Sequence, residues 1–143
     1  MTAIKPNAGP NVKIIESDEP KDEIARMPAN TSYLIMTHNH QLDYDILCSV
    51  INRGDGDYIG VIGSDTKWRK FQARLAHQGY KPESYAKIFC PVGLREVTGK
   101  RPMEVAVSIA AQLIQHHNHK LNKGTQRGLP WKVLSLSLIH ICR

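Results

Sequence analysis

His38 and His40 stand two residues apart at the end of an apolar run, and Asp43 follows within one helical turn. Imidazoles at i and i+2 in extended backbone point the same way, as two metal ligands do, and a nearby carboxylate could complete such a set. The same residues also read as strand-end hydrogen bonding, with His38 on strand-end carbonyls and His40 and Asp43 opening a helix. No cysteine lies close in sequence, which favours the hydrogen-bonding reading, and no metal is assigned. A second apolar run, Tyr58-Ile-Gly-Val-Ile-Gly63, stops at Ser64. Gly63 would let a ligand approach the backbone, and a helix N-terminus at Ser64 would favour an anion. Lys67, one turn in, could reach the same phosphate. The plainer alternative is a serine N-cap beside an exposed lysine.

Cys90 ends a third run, inside Phe89-Cys-Pro-Val-Gly-Leu94, where Pro91 and Gly93 turn the chain. A thiol there is reactive only if a cation or helix terminus lowers its pKa. Free cysteine otherwise behaves as a small buried hydrophobe. His116, His117 and His119 read as a solvated helix end rather than a metal tract, since positive charge suits a helix C-terminus.

These residues need elements to position them. Strands are expected over 11–16, 33–37, 58–63 and 87–90. Helices are expected over 20–27, 41–53 (stopped by Gly54) and 64–78 (stopped by Gly79), with a helical turn over 82–86. Pro102 opens the longest helix, which is expected to end near His117. Val105, Ile109, Leu113, Ala106, Ala110 and Ile114 would make its one wide apolar face. Strand alternating with helix implies a parallel sheet with right-handed crossovers, whose ligand crevice lies outside the C-terminal strand ends. The expected fold class is α/β, a Rossmann-like parallel sheet with flanking helices, truncated at its N-terminal strands.

The chain has 143 residues, 41% hydrophobic and 22% charged, which suits one globular domain. Its formal net charge of +6 gathers on 67–74 and in the C-terminal tail, with no aromatic platform to stack bases. A solvated helix face is the expected reading, and neither nucleic acid nor membrane is an expected partner. Three cysteines without CxxC spacing, and no secretory signal, point to the cytoplasm.

Met36-Thr-His-Asn-His-Gln-Leu-Asp43, Tyr58 to Ser64, Lys67-Trp68, Phe71, Phe89 to Leu94, Gly99-Lys100 and Pro102 to Gln112 occur in that order. Together, over roughly 11–117, they resemble the C-terminal Rossmann-like domain of the xanthine dehydrogenase accessory proteins (the XdhC/CoxI type). The resemblance implies a chaperone, not an enzyme. Such a protein carries molybdenum cofactor (molybdopterin) without using it, supports its sulfuration, and inserts it into a xanthine dehydrogenase-type enzyme. A cysteine desulfurase is a further implied partner, and a homodimer is left open. The cofactor would meet His38, His40, Asp43, Gly63, Ser64, Lys67, Cys90 and Gly93. The family's glycine-rich loop and its N-terminal cysteine motif have no counterpart here, so a fragment is expected. The rival reading is a nicotinamide-nucleotide-binding dehydrogenase domain, which needs a GxGxxG fingerprint where this chain has only Gly60-Val-Ile-Gly63.

The expected organisation is a loose segment over 1–10, the partial Rossmann-like domain over 11–119 and a basic tail over 120–135. Residues 136–143 are expected to be non-native sequence making few contacts, with a genuine last strand as the alternative.

Overall fold

Three short apolar runs, separated by helices, pair in chain order as parallel strands. The computed structural model describes residues 9–124 and 138–142. Its central sheet has the order β2 (Tyr33–Ile35), β3 (Ile59–Val61) and β4 (Ile88–Phe89), all parallel. The helix expected over 20–27 is a short α1 (Pro20–Glu23) continued by a 3-10 turn over Ile24–Arg26, and between the strands run α2 (His40–Arg53), α3 (Asp65–His77) and the single turn α4 (Pro82–Tyr85). The Rossmann-like α/β architecture expected from the alternation is therefore present. The strands are shorter than the apolar runs, because 36–37 and 62–63 already turn toward the helices.

Side-chain alternation sorts the two faces of this sheet. Ile35, Val61 and Ile88 are buried in one core with Leu47 and Val50 of α2 and with Phe71 and Leu75 of α3. Tyr44 of α2 meets the Phe71 ring edge-on at 5.3 Å, and Arg74 lies over Tyr44 at 3.9 Å. The opposite face carries Gly60 and Phe89 and receives α5 (Pro102–Gly124). Tyr58 stacks on Phe89 and meets His116 of α5 edge-on. A Cβ at Gly60 would lie 2.7 Å from Val92, so only glycine lets the loop after β4 cross there.

Several expectations need correction. The last helix runs to Gly124, not to His117, and so absorbs the start of the expected basic tail. No helix breaker precedes Gly124, and Lys120 ties this extra length to Asp57 at 2.6 Å. Burial would raise the Asp57 carboxyl, but Lys120 and His116 outweigh it and hold the group below its usual range. The single wide apolar face of α5 also divides: Ile109 is buried toward the sheet, whereas Ala106, Ala110 and Ile114 are exposed. Lys67, expected on a solvated face, is buried.

The end of the chain differs too. Leu138–Cys142 forms β5, parallel to β1 (Val12–Glu16) over five registered pairs from Val12 with Leu138 to Glu16 with Cys142. The expectation of few contacts over 136–143 is thus corrected for 138–142. The isoleucines of Leu-Ile-His-Ile favour a strand, and among the described residues β1 has no other strand partner, since it does not join the β2–β3–β4 sheet. Of the loose segment expected over 1–10, residues 1–8 lie outside the described residues and Gly9 and Pro10 are exposed; most of the tail also lies outside the described residues. Among the described residues, no helix is long and apolar enough to cross a membrane.

Candidate functional site

Because β2, β3 and β4 are parallel, their C-terminal ends share one edge. The ladder continues past the strands: Ile62 N donates to Ile35 O at 2.9 Å, and Val92 N donates to Val61 O at 3.2 Å. These bonds set 36–40, 62–64 and 90–93 beside one another. Both following helices start at this edge. Asn39 caps α2, its Oδ1 accepting from Gln41 N at 2.9 Å and Leu42 N at 3.1 Å. Ser64 caps α3, its Oγ accepting from Lys67 N at 3.2 Å. Two helices of 14 and 13 residues therefore aim their positive ends the same way. His38, His40, Gly63 and Ser64 are exposed there, and Cys90 and Gly93 are half-buried.

Asp43 and Lys67 are at the same edge but face inward. Lys67 Nζ donates to Asp43 Oδ2 at 2.6 Å and to Ile62 O at 2.8 Å, and it lies 5.3 Å from the Phe71 centroid. Asp43 Oδ1 accepts from Thr37 N at 2.9 Å and from Thr37 Oγ1 at 2.6 Å. Asp43 is 0% and Lys67 7% exposed, so the pair is a fully desolvated, hydrogen-bonded staple. It joins the β2 end, α2, the β3 end and α3. Gly63 serves this staple: at φ +154° a Cβ there would lie 2.5 Å from Lys67 Cδ. The gap left by the glycine is filled by the lysine stem. Neither Asp43 nor Lys67 presents its charge outward, and their role at this edge is to position it.

A second polar cluster fixes the Cys90 loop. Gln112 Oε1 accepts from Tyr58 OH at 2.7 Å and from Gly93 N at 3.0 Å, while Gln112 Nε2 donates to Gly93 O at 3.0 Å. Ser108 Oγ donates to Leu94 O at 3.1 Å and sits where a Gly93 Cβ would be. Burial pushes the Tyr58 phenol up to about 12, which keeps it a donor to Gln112. Residue types alone did not single out Gln112 or Ser108. Their signal was two polar residues four apart in the otherwise apolar stretch 105–114. Replacing Gln112 with Leu would leave Tyr58 OH and both Gly93 backbone groups unpaired. We expect a loss of about 2 kcal/mol in urea unfolding, since each buried orphan costs roughly 1–3 kcal/mol; a loss below 0.5 kcal/mol (roughly the surface-substitution range) would refute the clamp.

Cys90 is held as a thiol. Burial pushes its pKa from 9.0 up to about 11, Lys67 pulls it down, and Asp65 and Asp43 push it up. The lysine thus fails to activate it, because its charge is already matched by Asp43. The shift leaves about 100-fold less thiolate than an ordinary thiol near neutral pH, so alkylation is slow and accelerates up to pH 11. The raised pKa also means that any stability Cys90 confers is present below pH 9 and is lost as pH rises to about 11. Iodoacetamide kinetics followed by peptide mass mapping reads this directly, and a plateau below pH 9 would contradict it. Arg95, just past the loop, reaches Asp65 at the start of α3 with a 3.6 Å contact. Among the described residues, no group of three His, Cys, Asp or Glu side chains converges as a metal site.

No curated protein sequence matches the chain. Among solved structures, it is similar to a crystal structure of a xanthine dehydrogenase from Bacillus halodurans, with 30% identity and a TM-score of 0.57. That likeness covers 79% of this chain and 30% of the other, so this chain spans less than a third of that protein's length. Residues 1–113 match the XdhC Rossmann domain, and with a parallel β2–β3–β4 sheet delivering its helix N-termini to one edge, the chain belongs to the XdhC family.

Proposed function

We propose that this domain is the cofactor-holding part of an accessory protein for a xanthine dehydrogenase-type enzyme. It binds molybdenum cofactor at the strand-end edge and carries it without turning it over. The observation that supports this most is the convergence of two capped helix N-termini on exposed Ser64, His38 and His40, with Cys90 on the adjoining loop. A phosphorylated pterin fits that donor set: backbone N–H groups and Ser64 for the phosphate, imidazoles for ring heteroatoms, and a neutral thiol beside them. Gly63, Lys67, Asp43 and Gly93 act beneath these groups by fixing the backbone. The bound group would supply the molybdenum and its sulfur, and the chain's own residues bind, orient and shield it. Sulfuration, with a cysteine desulfurase as donor, and insertion into the client enzyme in the cytoplasm complete the reading. Family membership and the likeness to a protein called xanthine dehydrogenase support the choice of client.

The test is transfer. Full-length protein loaded with the cofactor is mixed with client apoenzyme, and the restored hydroxylase activity is followed. The wild type is expected to restore it, and Cys90→Ser to fold normally yet transfer at a rate lower by about tenfold, as for loss of one polar contact. The protein alone is expected to turn over no nicotinamide substrate. Unaided activity, or reconstitution equal to cofactor added without the protein, would overturn the chaperone reading.

A further inference from the structure

Helix α5 buries Ile109 against the sheet but shows a second apolar face outward. Its polar Ser108 and Gln112 are buried against the sheet, while Met103, Val107 and Ile114 stand 74%, 53% and 59% exposed. Residues 102–115 carry one charged side chain, Glu104. A surface helix normally shows the reverse arrangement, with the polar side out. The outward residues also have a definite spacing. The exposed Met103, Val107, Ala110, Ile114 and Leu121, with the half-buried His117, follow steps of 4, 3, 4, 3 and 4, the a/d seam by which one helix packs along another.

We propose that α5 packs antiparallel against α5 of a second copy of this chain through this seam. The seam is self-complementary about Gln112. Met103 and Leu121 lie nine residues to either side of it, Val107 and His117 five, and Ala110 and Ile114 two. An antiparallel two-fold therefore sets each large side chain opposite a partner from the other half, with the small Ala110 facing Ile114 at the centre. This is the isologous arrangement of a two-fold dimer, and a and d positions face each other across it. Charge selects the same orientation. The only acidic residue lies in the N-terminal half, and Lys120, Lys123 and His119 lie in the C-terminal half. An antiparallel pair sets unlike halves and opposed helix dipoles together, whereas a parallel pair stacks like on like. The seam is long enough. A 23-residue helix extends roughly 35 Å, and its exposed apolar side chains with their flanks remove on the order of 500 Å² per copy. The pair total is then roughly 1,000 Å², where specific interfaces begin. The inner face of α5 holds the Cys90 loop through Gln112, so each copy's helix would join two strand-end edges into one assembly.

Sedimentation velocity of the full-length protein across the micromolar range tests this. The expected result is a concentration-dependent dimer for the wild type. Ile114→Glu is expected to weaken association by about 100-fold or more, as for a hot-spot side chain, with helix content by circular dichroism unchanged. Met103→Glu alone is also expected to dissociate the dimer. Adding Leu121→Lys in the same chain is expected to restore it, because the two new charges meet across an antiparallel pair. A wild type that is monomeric throughout, with the seam covered by the chain itself or kept for another protein, would overturn the proposal. A dimer untouched by Ile114→Glu, or a double variant no better than Met103→Glu, would do the same.

Discussion

Asp43→Ala is expected to cost about 3–5 kcal/mol, a large share of the roughly 5–15 kcal/mol by which a domain is stable. The substitution removes little volume but leaves the Lys67 ammonium buried with one carbonyl for company and Thr37 without its acceptor. An uncompensated charge in a desolvated site is among the few single changes with so large an effect. Lys67→Met is expected to cost less than Asp43→Ala if Asp43 keeps its Thr37 bonds, and the double variant Asp43→Leu with Lys67→Met less than either. The reason is that the pair's mutual attraction chiefly offsets its own desolvation. Urea unfolding of the full-length proteins decides the order. If Asp43→Ala lost under 1 kcal/mol (the range of an exposed ion pair), the staple would be no more than a surface salt bridge.

Ser64→Asp is expected to weaken cofactor binding by about 2 kcal/mol, roughly 30-fold, while leaving the fold intact. Aspartate is as good an N-cap as serine, and its charge suits the α3 dipole, so stability holds or rises slightly. The same carboxylate repels a phosphate docked at that N-terminus. Ser64→Ala should differ, losing about 1 kcal/mol of stability with the cap and only the hydroxyl's contact with the phosphate, a smaller loss of affinity than Ser64→Asp. Stability and affinity thus move in opposite senses across the two variants, a pattern that a purely structural Ser64 would not give. Equal affinities in equilibrium titration would leave Ser64 as a helix cap.

The sheet was readable from the chain because apolar runs stop at Thr37, Gly63 and Cys90 and a helical stripe comes after each of them. The edge they share follows from parallel pairing alone. The inward turn of Asp43 and Lys67 was harder to read, since each lies on a helix with other charged residues that stay exposed or half-exposed, and its partner is 24 residues away. A signal did exist. Asp43, Ile46, Leu47 and Val50 share one face of α2, and Lys67, Phe71 and Leu75 share one face of α3, so each charge lies in a buried stripe. Opposite charges on the buried stripes of neighbouring helices predict each other. Gln112 lay on the inner face of α5 for the same reason, but periodicity cannot tell the inner face of a helix that is apolar nearly all round. The pairing of β5 with β1 joins residues over a hundred positions apart, and no local pattern encodes such a contact.

The central claim is that the strand-end edge is where the cofactor sits, and amide hydrogen exchange reads it directly. Full-length protein is compared with and without molybdenum cofactor, peptide by peptide. The account predicts protection over 36–41, 62–67 and 89–94, the three segments that meet at that edge. It predicts no change over 54–57, which enters β3 from the opposite edge. Protection confined to 54–57 and the C-terminal half of α5, or none in any of the three segments at saturating cofactor, would contradict it.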